Sequence, residues 1–435
     1  MRVQEALDSN RSAVLDHGRD NRSDAARRER PRVLVIPSWY PTKDNLISGS
    51  FFQEQAAILH GEFDVQVLFG VRQIRPRHGR VSGPIRGSRA DDVVIENSTG
   101  DTYPEPPPVN GFSYSHYSCS EEEADERMIA AYGSMLERLM SRGWRPDLLH
   151  AHNADAAGIV ATALSRRFGI PWVLTEHTAF LLHTSEYRRR RMIEALSEAT
   201  TLLAVSYYQM RSLLIHEVRR PIQVVGNLID DTIFTRATGS ERTGKFRILT
   251  VTHEDWVKDA ATFFTAISRL VASGHKDIEA VIIGNTHYGD ASRASSAALE
   301  QLASQAGVRA YCRFVAFAPR AAMPSYYAEC DVCVSTSIVE TFGIAPREAM
   351  AAGKPVVSTA NGGVDDILSP ANGVRVQIRD AAGIADALEA IKTRTIRFDP
   401  DEIRQTVVER YGRATFLRQL GRIYRETISC ELLNR

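Results

Sequence analysis

Two glutamates, Glu340 and Glu348, flank a glycine-containing stretch in the C-terminal half of the chain, with seven residues between them. Carboxylates accept hydrogen bonds from sugar hydroxyls, and the start of a helix offers unpaired N–H groups to a phosphate. A ligand that needs both kinds of partner is a nucleotide diphosphate sugar. The alternative is that both glutamates are solvated, and that Glu348 is favourable only because it lies near a helix N-terminus.

The elements around this pair can be read from the neighbouring residues. Residues 331–335 are rich in β-branched side chains and predict a buried strand, and residues 355–358 predict the next one. Pro346 suits the first turn of a helix, and Gly353 suits the left-handed position just past a helix end. The pattern predicts a strand, a glycine loop, a short helix and a strand, with the first glutamate on the loop and the second in the first helical turn.

The same stretch resembles the retaining GT-B glycosyltransferases of glycosyltransferase family 4. The matching segments are ETFG at 340–343, EAMA at 348–351, Gly353, PVV at 355–357 and NGG at 361–363. The resemblance implies an α/β protein of GT-B fold, in which two Rossmann-like, doubly wound parallel-sheet domains face a cleft. Alternating strand and helix patterns, with about six strands in each half, agree with that architecture.

The resemblance also assigns roles around the donor nucleotide sugar. Glu348 is expected to hold the ribose diol, and Glu340 the hydroxyls of the transferred sugar. Lys258 is expected to neutralise the donor diphosphate as charge builds on the leaving group. The diphosphate is further expected to meet the backbone amides of three residues: Phe342, Gly343 and Ile344.

His253 departs from the family pattern, which usually has an arginine five positions before the lysine. Histidine carries little positive charge at neutral pH unless its pKa is raised. We keep His253 among the donor-binding residues and expect activity to survive this departure. The opposite interpretation is a degenerate relative that binds sugar nucleotides without catalysis.

Two predicted strands of the first half end in histidine. Residues 147–152 end with His150 and His152, and residues 171–177 end with His177. Because strand carboxyl ends converge at the binding crevice of open α/β sheets, we expect these side chains at the active site. The resemblance assigns His152 to orienting the transferred sugar and His177 to the acceptor side. Histidine is also a metal ligand by type, but the family needs no bound metal, and a structural role suits His150 best.

The first predicted strand, at residues 32–37, is followed by Gly49 at the entrance to a helix. Glycine allows close backbone approach, so the resemblance places Gly49 facing the acceptor and the donor phosphates. A plain turn above packed aromatic side chains is the alternative. No Gly-x-Gly-x-x-Gly follows this strand, which argues against an NAD-dependent enzyme.

Composition excludes several classes of protein. The 435 residues include 53 Lys and Arg and 53 Asp and Glu, so the basic excess typical of nucleic-acid-binding proteins is missing and no such partner is expected. No apolar run reaches the ~20 residues that span a bilayer, and the N-terminus lacks a secretory apolar core. We expect a cytoplasmic protein. The arginine run at 188–191 suggests a second option, peripheral contact with the inner face of the membrane, since many relatives use lipid-linked acceptors.

No cofactor and no metal site are predicted. Asp399 and Asp401 form an Asp-x-Asp, but a capping aspartate before Pro400 at a helix start explains it. Cys330 and Cys333 have Cys-x2-Cys spacing, yet without a second pair they predict a buried, reduced strand rather than a zinc site. The nucleotide sugar is expected to be the co-substrate.

The chain is predicted to divide into four segments. Residues 1–30 form a flexible polar tail, and residues 31–235 form an acceptor-side domain with an irregular insertion at 72–118. Residues 236–400 form the donor-binding domain. Residues 401–435 form a closing helix that crosses back to the first domain.

The sequence therefore predicts a retaining glycosyltransferase, hexosyl or related, that moves a sugar from a nucleotide diphosphate sugar to a hydroxyl acceptor. The acceptor is expected to be a saccharide or a lipid-linked saccharide, in polysaccharide or lipid-linked glycan assembly. A nucleotide-sugar 2-epimerase on the same fold is the rival enzyme, and the Glu-x7-Glu spacing with EAMA argues against it. No residue pattern decides the base, the sugar or the acceptor.

Overall fold

The computed structural model describes residues 30–42, 48–75, 94–97, 107–117, 119–179, 184–236, 244–284 and 291–433. Apart from residue 30, the predicted tail at 1–30 lies outside these ranges, as does part of the predicted insertion at 72–118. The described chain forms two largely parallel sheets with helices packed on them. The predicted α/β architecture with two doubly wound sheets is confirmed.

The first sheet comprises β1 (Arg32–Pro37), β2 (Asp64–Arg75), β3 (Val94–Asn97), β4 (Val109–Tyr117), β5 (Leu148–His152), β6 (Trp172–Glu176), β7 (Thr201–Ala204) and β8 (Ile222–Val224). Their spatial order is β3-β4-β2-β1-β5-β6-β7-β8, and only the β3–β4 pair is antiparallel among the described strands. The central strands are short apolar runs buried along their length, as expected for a parallel sheet covered on both faces.

The described part of the first half also contains α1 (Ser50–Leu59), α2 (Glu121–Ser141), α3 (Ile159–Phe168), α4 (Glu186–Glu198) and α5 (Tyr207–Ile215). Local chemistry fixes where three of them begin. Ser120 and Glu123 form a capping box at α2, and the hydroxyls of Ser185 and Ser206 cap α4 and α5.

The prediction of an irregular segment at 72–118 is wrong for its described residues. Strand β2 continues to Arg75, and β4 runs from Val109 to Tyr117 in parallel register with it. In β4, polar residues alternate with aromatic ones, and three prolines at 106–108 directly precede the strand. The alternation of apolar and polar residues that would predict a half-buried strand was therefore not recognised. The first sheet thus has eight described strands instead of about six.

The second sheet comprises β9 (Phe246–Val251), β10 (Ile278–Ile283), β11 (Cys312–Val315), β12 (Val332–Ser335), β13 (Val356–Thr359) and β14 (Gly373–Val376), in the order β11-β10-β9-β12-β13-β14. All of its described pairings are parallel. The accompanying helices are α6 (Ala260–Ala272), α7 (Ala291–Gln305), α8 (Met323–Glu329), α9 (Ile344–Ala351), α10 (Ala381–Lys392) and α11 (Pro400–Tyr411).

The C-terminal region forms two helices where the pattern predicted one. Helix α11 begins with Asp399 as its cap and Pro400 in its first turn, as predicted, and α12 (Arg413–Leu433) follows after a break at Gly412. Gly412 has an extended backbone, and a Cβ there would lie 2.5 Å from the carbonyl oxygen of Val408. Apolar residues of α12 pack in one core cluster with β1 and α1 of the first half.

Each sheet reverses its strand order next to its first strand. In the first sheet β2 and β5 lie on opposite sides of β1, and in the second β10 and β12 lie on opposite sides of β9. Loops that leave such a point in opposite directions open a crevice at the carboxyl ends of the strands. Predicted site residues lie at or just past the carboxyl ends of strands in both sheets. His152 ends β5, His177 follows β6 and His253 follows β9. Glu340 lies on the loop after β12, and Glu348 lies on helix α9.

Candidate functional site

The predicted strand–loop–helix–strand unit is present as β12, α9 and β13. Gly343 caps α9 with a φ of 76°, and an added Cβ there would lie 2.6 Å from the Val364 side chain. Gly353, past the helix end, has a φ of 74°, as predicted. The helix already begins at Ile344, so the placement of Glu348 in the first turn is wrong. Glu348 lies in the second turn.

Glu340 forms an ion pair with Lys258. The Lys258 Nζ lies 2.5 Å from Glu340 Oε1, and the Ser337 hydroxyl donates to the same oxygen at 2.8 Å. The backbone N–H of Glu340 donates to the carbonyl of Asn361, and Glu340 forms a β-bridge with Gly362 in the NGG loop. Burial acts to raise the pKa of Glu340, but the Lys258 charge and the hydrogen bonds outweigh it and hold that pKa below its ordinary value.

Glu348 is only 2% exposed, so the alternative of a solvated surface glutamate is wrong for this residue. The Tyr327 hydroxyl donates to its Oε2 at 2.8 Å, and the Arg320 guanidinium donates to its Oε1. Burial raises the pKa of Glu348, and the opposing charge of Arg320 does not fully offset this. A buried carboxylate with two directed partners has a fixed orientation, as a ligand-binding group requires.

Arg320 was not among the residues predicted from sequence. Besides Glu348, its guanidinium donates to both carboxylate oxygens of Glu54, at 2.5 and 2.9 Å, and Glu54 lies on α1 in the first half of the molecule. Burial acts to lower the pKa of Arg320, but the two carboxylates prevail and raise it, so Arg320 stays protonated. No local pattern in the sequence marks Arg320, because its partners Glu348 and Glu54 are 28 and 266 positions away along the chain.

A fully buried arginine, Arg347, supports the glycine loop from below. Its guanidinium donates to Asp366 at 2.7 Å and lies 3.9 Å from the ring centre of Phe342 and 4.9 Å from that of Tyr411. A further N–H of Arg347 points to the carbonyl of Gly343 at 3.5 Å. The Phe342 and Tyr411 rings also meet edge to face, with centroids 5.0 Å apart. The loop that leads into α9 is therefore tied to α11 through two packed rings and one buried charge.

The first half contributes two histidines in direct contact. His152 Nδ1 lies 2.9 Å from His177 Nε2, and both side chains are buried. His150 lies beside them, with its two ring nitrogens 2.5 Å from the Tyr424 hydroxyl and 2.8 Å from the Thr175 hydroxyl. Both nitrogens of His150 thus have partners inside the protein, as a structural histidine requires.

Burial governs the protonation of all three rings. It lowers the pKa of His150 and of His177 to about 3. It also lowers the pKa of His152 well below the ordinary value, and the neighbouring histidines add to this effect. The rings are neutral near pH 7, and each offers one donor and one acceptor nitrogen. Such groups can orient a sugar hydroxyl, but they bring no charge to a phosphate.

Glu176, which sequence reasoning left without a role, connects the two histidine-bearing loops. Its carboxylate is wholly buried and accepts the backbone N–H groups of His177 at 3.0 Å, Thr178 at 2.9 Å and Ala154 at 2.8 Å. The turn after β5 is strained, since Ala156 has a φ of 49°. The carboxylate therefore holds a strained turn against the end of β6.

The predicted residues of the two halves meet through the ETFG loop. The Thr341 hydroxyl donates to the carbonyl of His177 at 2.7 Å, and the Ser206 hydroxyl donates to the carbonyl of Thr341 at 2.5 Å. Glu340 directly precedes Thr341, and His177 contacts His152. The structure thus brings the Lys258–Glu340 pair and the His152–His177 pair to opposite sides of one interface between the halves.

Gly49 and His253 follow the first strand of each sheet, Gly49 in the segment after β1 and His253 in the loop after β9. Gly49 caps α1 with a φ of 72°, and an added Cβ would lie 2.4 Å from the carbonyl oxygen of Trp39, so only glycine fits. Helix α1 then places the ring of Phe52 4.5 Å from that of His152. His253 lies in the loop after β9 and its imidazole accepts the N–H of Asp255 at 3.3 Å.

The arginine run at 188–191 is partly engaged within the protein. Arg188 forms ion pairs with Asp125 and with Asp155, the latter at 2.7 Å, and Arg191 pairs with Glu194 at 2.7 Å. None of the helices in the described ranges combines the length and the apolar character needed to cross a membrane. Nor do the described His, Cys, Asp and Glu side chains gather in a group of three or more suited to a metal ion.

Comparison with known families divides the chain in the same place as the two sheets. Residues 93–232 match the model described as Glycosyltransferase Family 4, and residues 231–405 match the model described as Glycosyl transferases group 1. A D-inositol 3-phosphate glycosyltransferase of Arthrobacter sp. (strain FB24) is 30% identical over 293 residues, which cover 62% of this chain and 68% of that protein. The chain belongs to the group 1 glycosyltransferases.

Other relatives of this glycosyltransferase support the same assignment. A glycogen synthase of Mycobacterium tuberculosis (strain H37Rv) is 28% identical over 61% of this chain and 64% of its own length. Among solved structures, sucrose-phosphate synthase from Thermosynechococcus elongatus superimposes with a TM-score of 0.69 at 17% identity, over 92% of this chain and 100% of that one. Anabaena HepE in complex with UDP and glucose does so with a TM-score of 0.68 at 16% identity, over 91% and 100%. These structures confirm the GT-B fold.

Proposed function

We propose that this protein is a retaining glycosyltransferase that transfers a sugar, hexosyl or related, from a nucleotide diphosphate sugar to a hydroxyl acceptor. The observation that carries the proposal is the contact between Thr341 and His177. That contact sets an ammonium–carboxylate pair from one sheet against neutral imidazoles from the other. A nucleotide sugar requires this combination, since one part of it is a charged diphosphate and the next part is a neutral sugar.

Lys258 is the residue proposed to stabilise the leaving diphosphate. Lys258 lies in the segment between β9 and α6, and its ammonium is held by Glu340, four residues before α9 begins. The first N–H groups of a helix have no intrahelical partner, so those near Gly343 and Ile344 add hydrogen-bond donors for phosphate oxygens. Donors fixed before the reaction stabilise the developing negative charge without reorganisation.

The remaining roles follow the polar character of each group. Glu340 accepts hydrogen bonds from hydroxyls of the transferred sugar, and neutral His152 orients that sugar from the opposite half. Glu348, fixed by Tyr327 and Arg320, accepts the ribose diol. Gly49 and His177 lie on the side of the first sheet, where we place the acceptor.

We infer retention of anomeric configuration from the family resemblance and from the state of the carboxylates. Glu340 is paired with Lys258 and Glu348 with Arg320, so neither is poised as a free nucleophile for double displacement. A front-face route fits these contacts. The acceptor oxygen bonds to the anomeric carbon, the bond from that carbon to the phosphate oxygen breaks, and the leaving phosphate takes the acceptor proton.

The acceptor proposed is a saccharide or a lipid-linked saccharide, in polysaccharide or glycan assembly in the cytoplasm or at the inner face of the membrane. No described contact selects the donor base. Related structures of Anabaena HepE contain UDP and UDP-glucose, which puts uridine nucleotides first among the donors to be tried.

The proposal is tested by thermal stabilisation with UDP-, GDP- and ADP-sugars. A ligand that binds only the folded state raises the melting temperature, so one nucleotide class should shift the wild type, and Lys258→Ala and Glu348→Ala should reduce the shift. Lys392→Ala is the matched control, because Lys392 pairs with Asp277 at the amino ends of the strands. The shift should survive in that variant.

Product analysis then separates the possible activities. Transfer to a sugar acceptor, with the anomeric proton followed by NMR, should give a product of the donor's own configuration. An inverted product would contradict retention. An isomerised sugar nucleotide formed without acceptor would identify an epimerase. A protein that binds the donor, but neither transfers the sugar nor slowly hydrolyses the donor, would be a sensor. No stabilisation by any nucleotide sugar in folded protein would contradict the donor site itself.

A further inference from the structure

One guanidinium joins carboxylates that belong to different halves of the molecule. Arg320 donates to both oxygens of Glu54 on α1 and to one oxygen of Glu348 on α9. Glu54 and Arg320 are 266 positions apart in the sequence. We call these three side chains the Arg320 fork.

The surroundings of the fork favour a defined geometry. The Arg320 guanidinium lies 4.7 Å from the ring centre of Phe234, and Phe234 is fully buried. The side chains of Arg320 and Glu54 are 24% and 20% exposed, whereas that of Glu348 is 2% exposed. The Glu54 end of the fork is therefore the end that can separate into solvent, while the Glu348 end is enclosed.

We propose that Arg320 is a positioning residue that couples recognition of the donor ribose to the approach of the two halves. The inference rests on the proposed role of Glu348 in holding the ribose diol. While Glu54 takes two N–H groups of the guanidinium, Glu348 receives one bond from Arg320 and one from Tyr327. The carboxylate then keeps acceptor positions for two ribose hydroxyls.

Separation of the halves changes how the N–H groups of Arg320 are shared between the two glutamates. Without Glu54, the planar guanidinium is free to turn and bind Glu348 through two parallel N–H bonds, the preferred geometry of an arginine–carboxylate pair. The second of these bonds takes one of the two acceptor positions that the ribose diol needs. Closure of the halves and binding of the ribose diol therefore favour each other, and linkage requires the effect to be reciprocal.

The test uses the full chain and titrates UDP, GDP and ADP and their 2′-deoxy analogues against the wild type and Glu54→Gln. Glutamine keeps the size of the side chain but removes the charge that draws Arg320 away from Glu348. We expect Glu54→Gln to weaken binding of the preferred nucleotide about fivefold, at the low end of ordinary coupling factors. The preference for ribose over 2′-deoxyribose should shrink in parallel, because the released guanidinium competes with the ribose hydroxyls for Glu348.

The control is Glu62→Gln. Glu62 pairs with Arg425 of α12 at 2.9 Å, so it also joins residues far apart in sequence, but it does so away from Glu348. This variant should bind nucleotides like the wild type. A Glu54→Gln protein that matches Glu62→Gln in both affinity and ribose preference would overturn the coupling.

A second measurement covers the chance that Glu54→Gln folds poorly. Arg320→Lys keeps the charge but cannot form the three-way fork, and it should show the same loss of ribose preference. Small-angle X-ray scattering should show that whichever of UDP, GDP and ADP binds the wild type best compacts the wild type more than Arg320→Lys, and equal compaction would overturn the proposal. Failure of every nucleotide to bind the wild type would instead contradict the proposed donor site, so the two failures are distinguishable.

Discussion

The polar groups at the carboxyl ends of the two sheets differ in charge state. At the second sheet the groups are ions in pairs, Lys258 with Glu340 and Arg320 with Glu348. At the first sheet they are buried histidines that stay neutral near pH 7. Under the proposed function, the two halves divide a nucleotide sugar between them: the charged end suits the diphosphate and ribose, and the neutral end suits the sugar.

The two ends also depend on different physical conditions. A buried ion pair leaves an uncompensated charge when one partner is removed, so the second sheet should respond strongly to charge-removing substitutions. Buried neutral imidazoles resist protonation, whereas the same imidazoles in the unfolded chain take up protons readily. Acid therefore favours unfolding, and the stability of the first half should fall with pH. The following experiments separate these two sensitivities, from the largest expected effect to the smallest.

Removal of the Lys258 charge should have the largest effect. In Lys258→Ala the leaving diphosphate loses its fixed cation, and we expect kcat to fall about 10²–10³-fold, or about 3–4 kcal/mol, as for loss of one preorganised charge-stabilising group. Steady-state kinetics with the donor found in the nucleotide panel measure this. Wild-type kcat in Lys258→Ala would show that the charged end does not act on the leaving group.

The buried Arg347–Asp366 pair should show how strongly the charged end depends on pairing for stability. Asp366→Asn leaves a fully buried guanidinium without its carboxylate, and we expect a loss of about 3 kcal/mol, measured from the urea midpoint of folding. Asp401→Asn is the exposed counterpart, since its partner Arg236 is 53% exposed, and it should cost less than about 1 kcal/mol. Equal losses would refute the distinction.

Acid should destabilise the neutral end. The folded-state pKa of His150 and of His177 is about 3, below the ordinary 6.5, so their stability contribution is complete above pH 6.5 and is lost as pH falls from there toward 3. At pH 5.5 each such histidine should cost about 1.4 kcal/mol of unfolding free energy relative to pH 7.5. In His150→Gln the stability difference between these two pH values should shrink by that amount. An unchanged difference would mean that His150 is protonated in the fold.

The smallest effect is expected at His253, where the charged end lacks the usual arginine. His253→Arg should tighten nucleoside diphosphate binding about two- to fivefold, and the gain should fade at high salt because the site is partly open to solvent. Isothermal titration at low and high ionic strength measures both. A salt-independent gain, or none, would place position 253 outside the field of the diphosphate.

Much of the second half could be predicted because its signals are local. Gly343 and Gly353 adopt the left-handed conformations that their positions require, and Asp399 caps the helix that Pro400 begins. Each of these features depends on residues within about one helical turn, which a sequence window contains. The error at Glu348 is equally local, since α9 begins at Ile344, two residues before Pro346, and Glu348 therefore falls in the second turn.

The first half was predicted less completely because its strand β4 lacks a plain pattern. Strand β4 combines polar and aromatic residues and pairs with β2, whose partner positions are about forty residues away. Glu176 reads as an ordinary residue before His177, and only the fold brings Ala154 and Thr178 to its carboxylate. Side chains that serve backbone groups of another loop leave no periodic signature.

The sequence by itself determined the two-sheet architecture, the strand–loop–helix unit around Glu340, and which strands of the first half end in histidine. Only the tertiary structure decided that Glu348 is buried, that Arg320 joins it to Glu54, and that Thr341 meets His177. The physical reason is the range of the interactions. Helix caps, turns and apolar runs depend on neighbours along the chain, whereas the ion pairs and hydrogen bonds described between the halves join residues more than 130 positions apart.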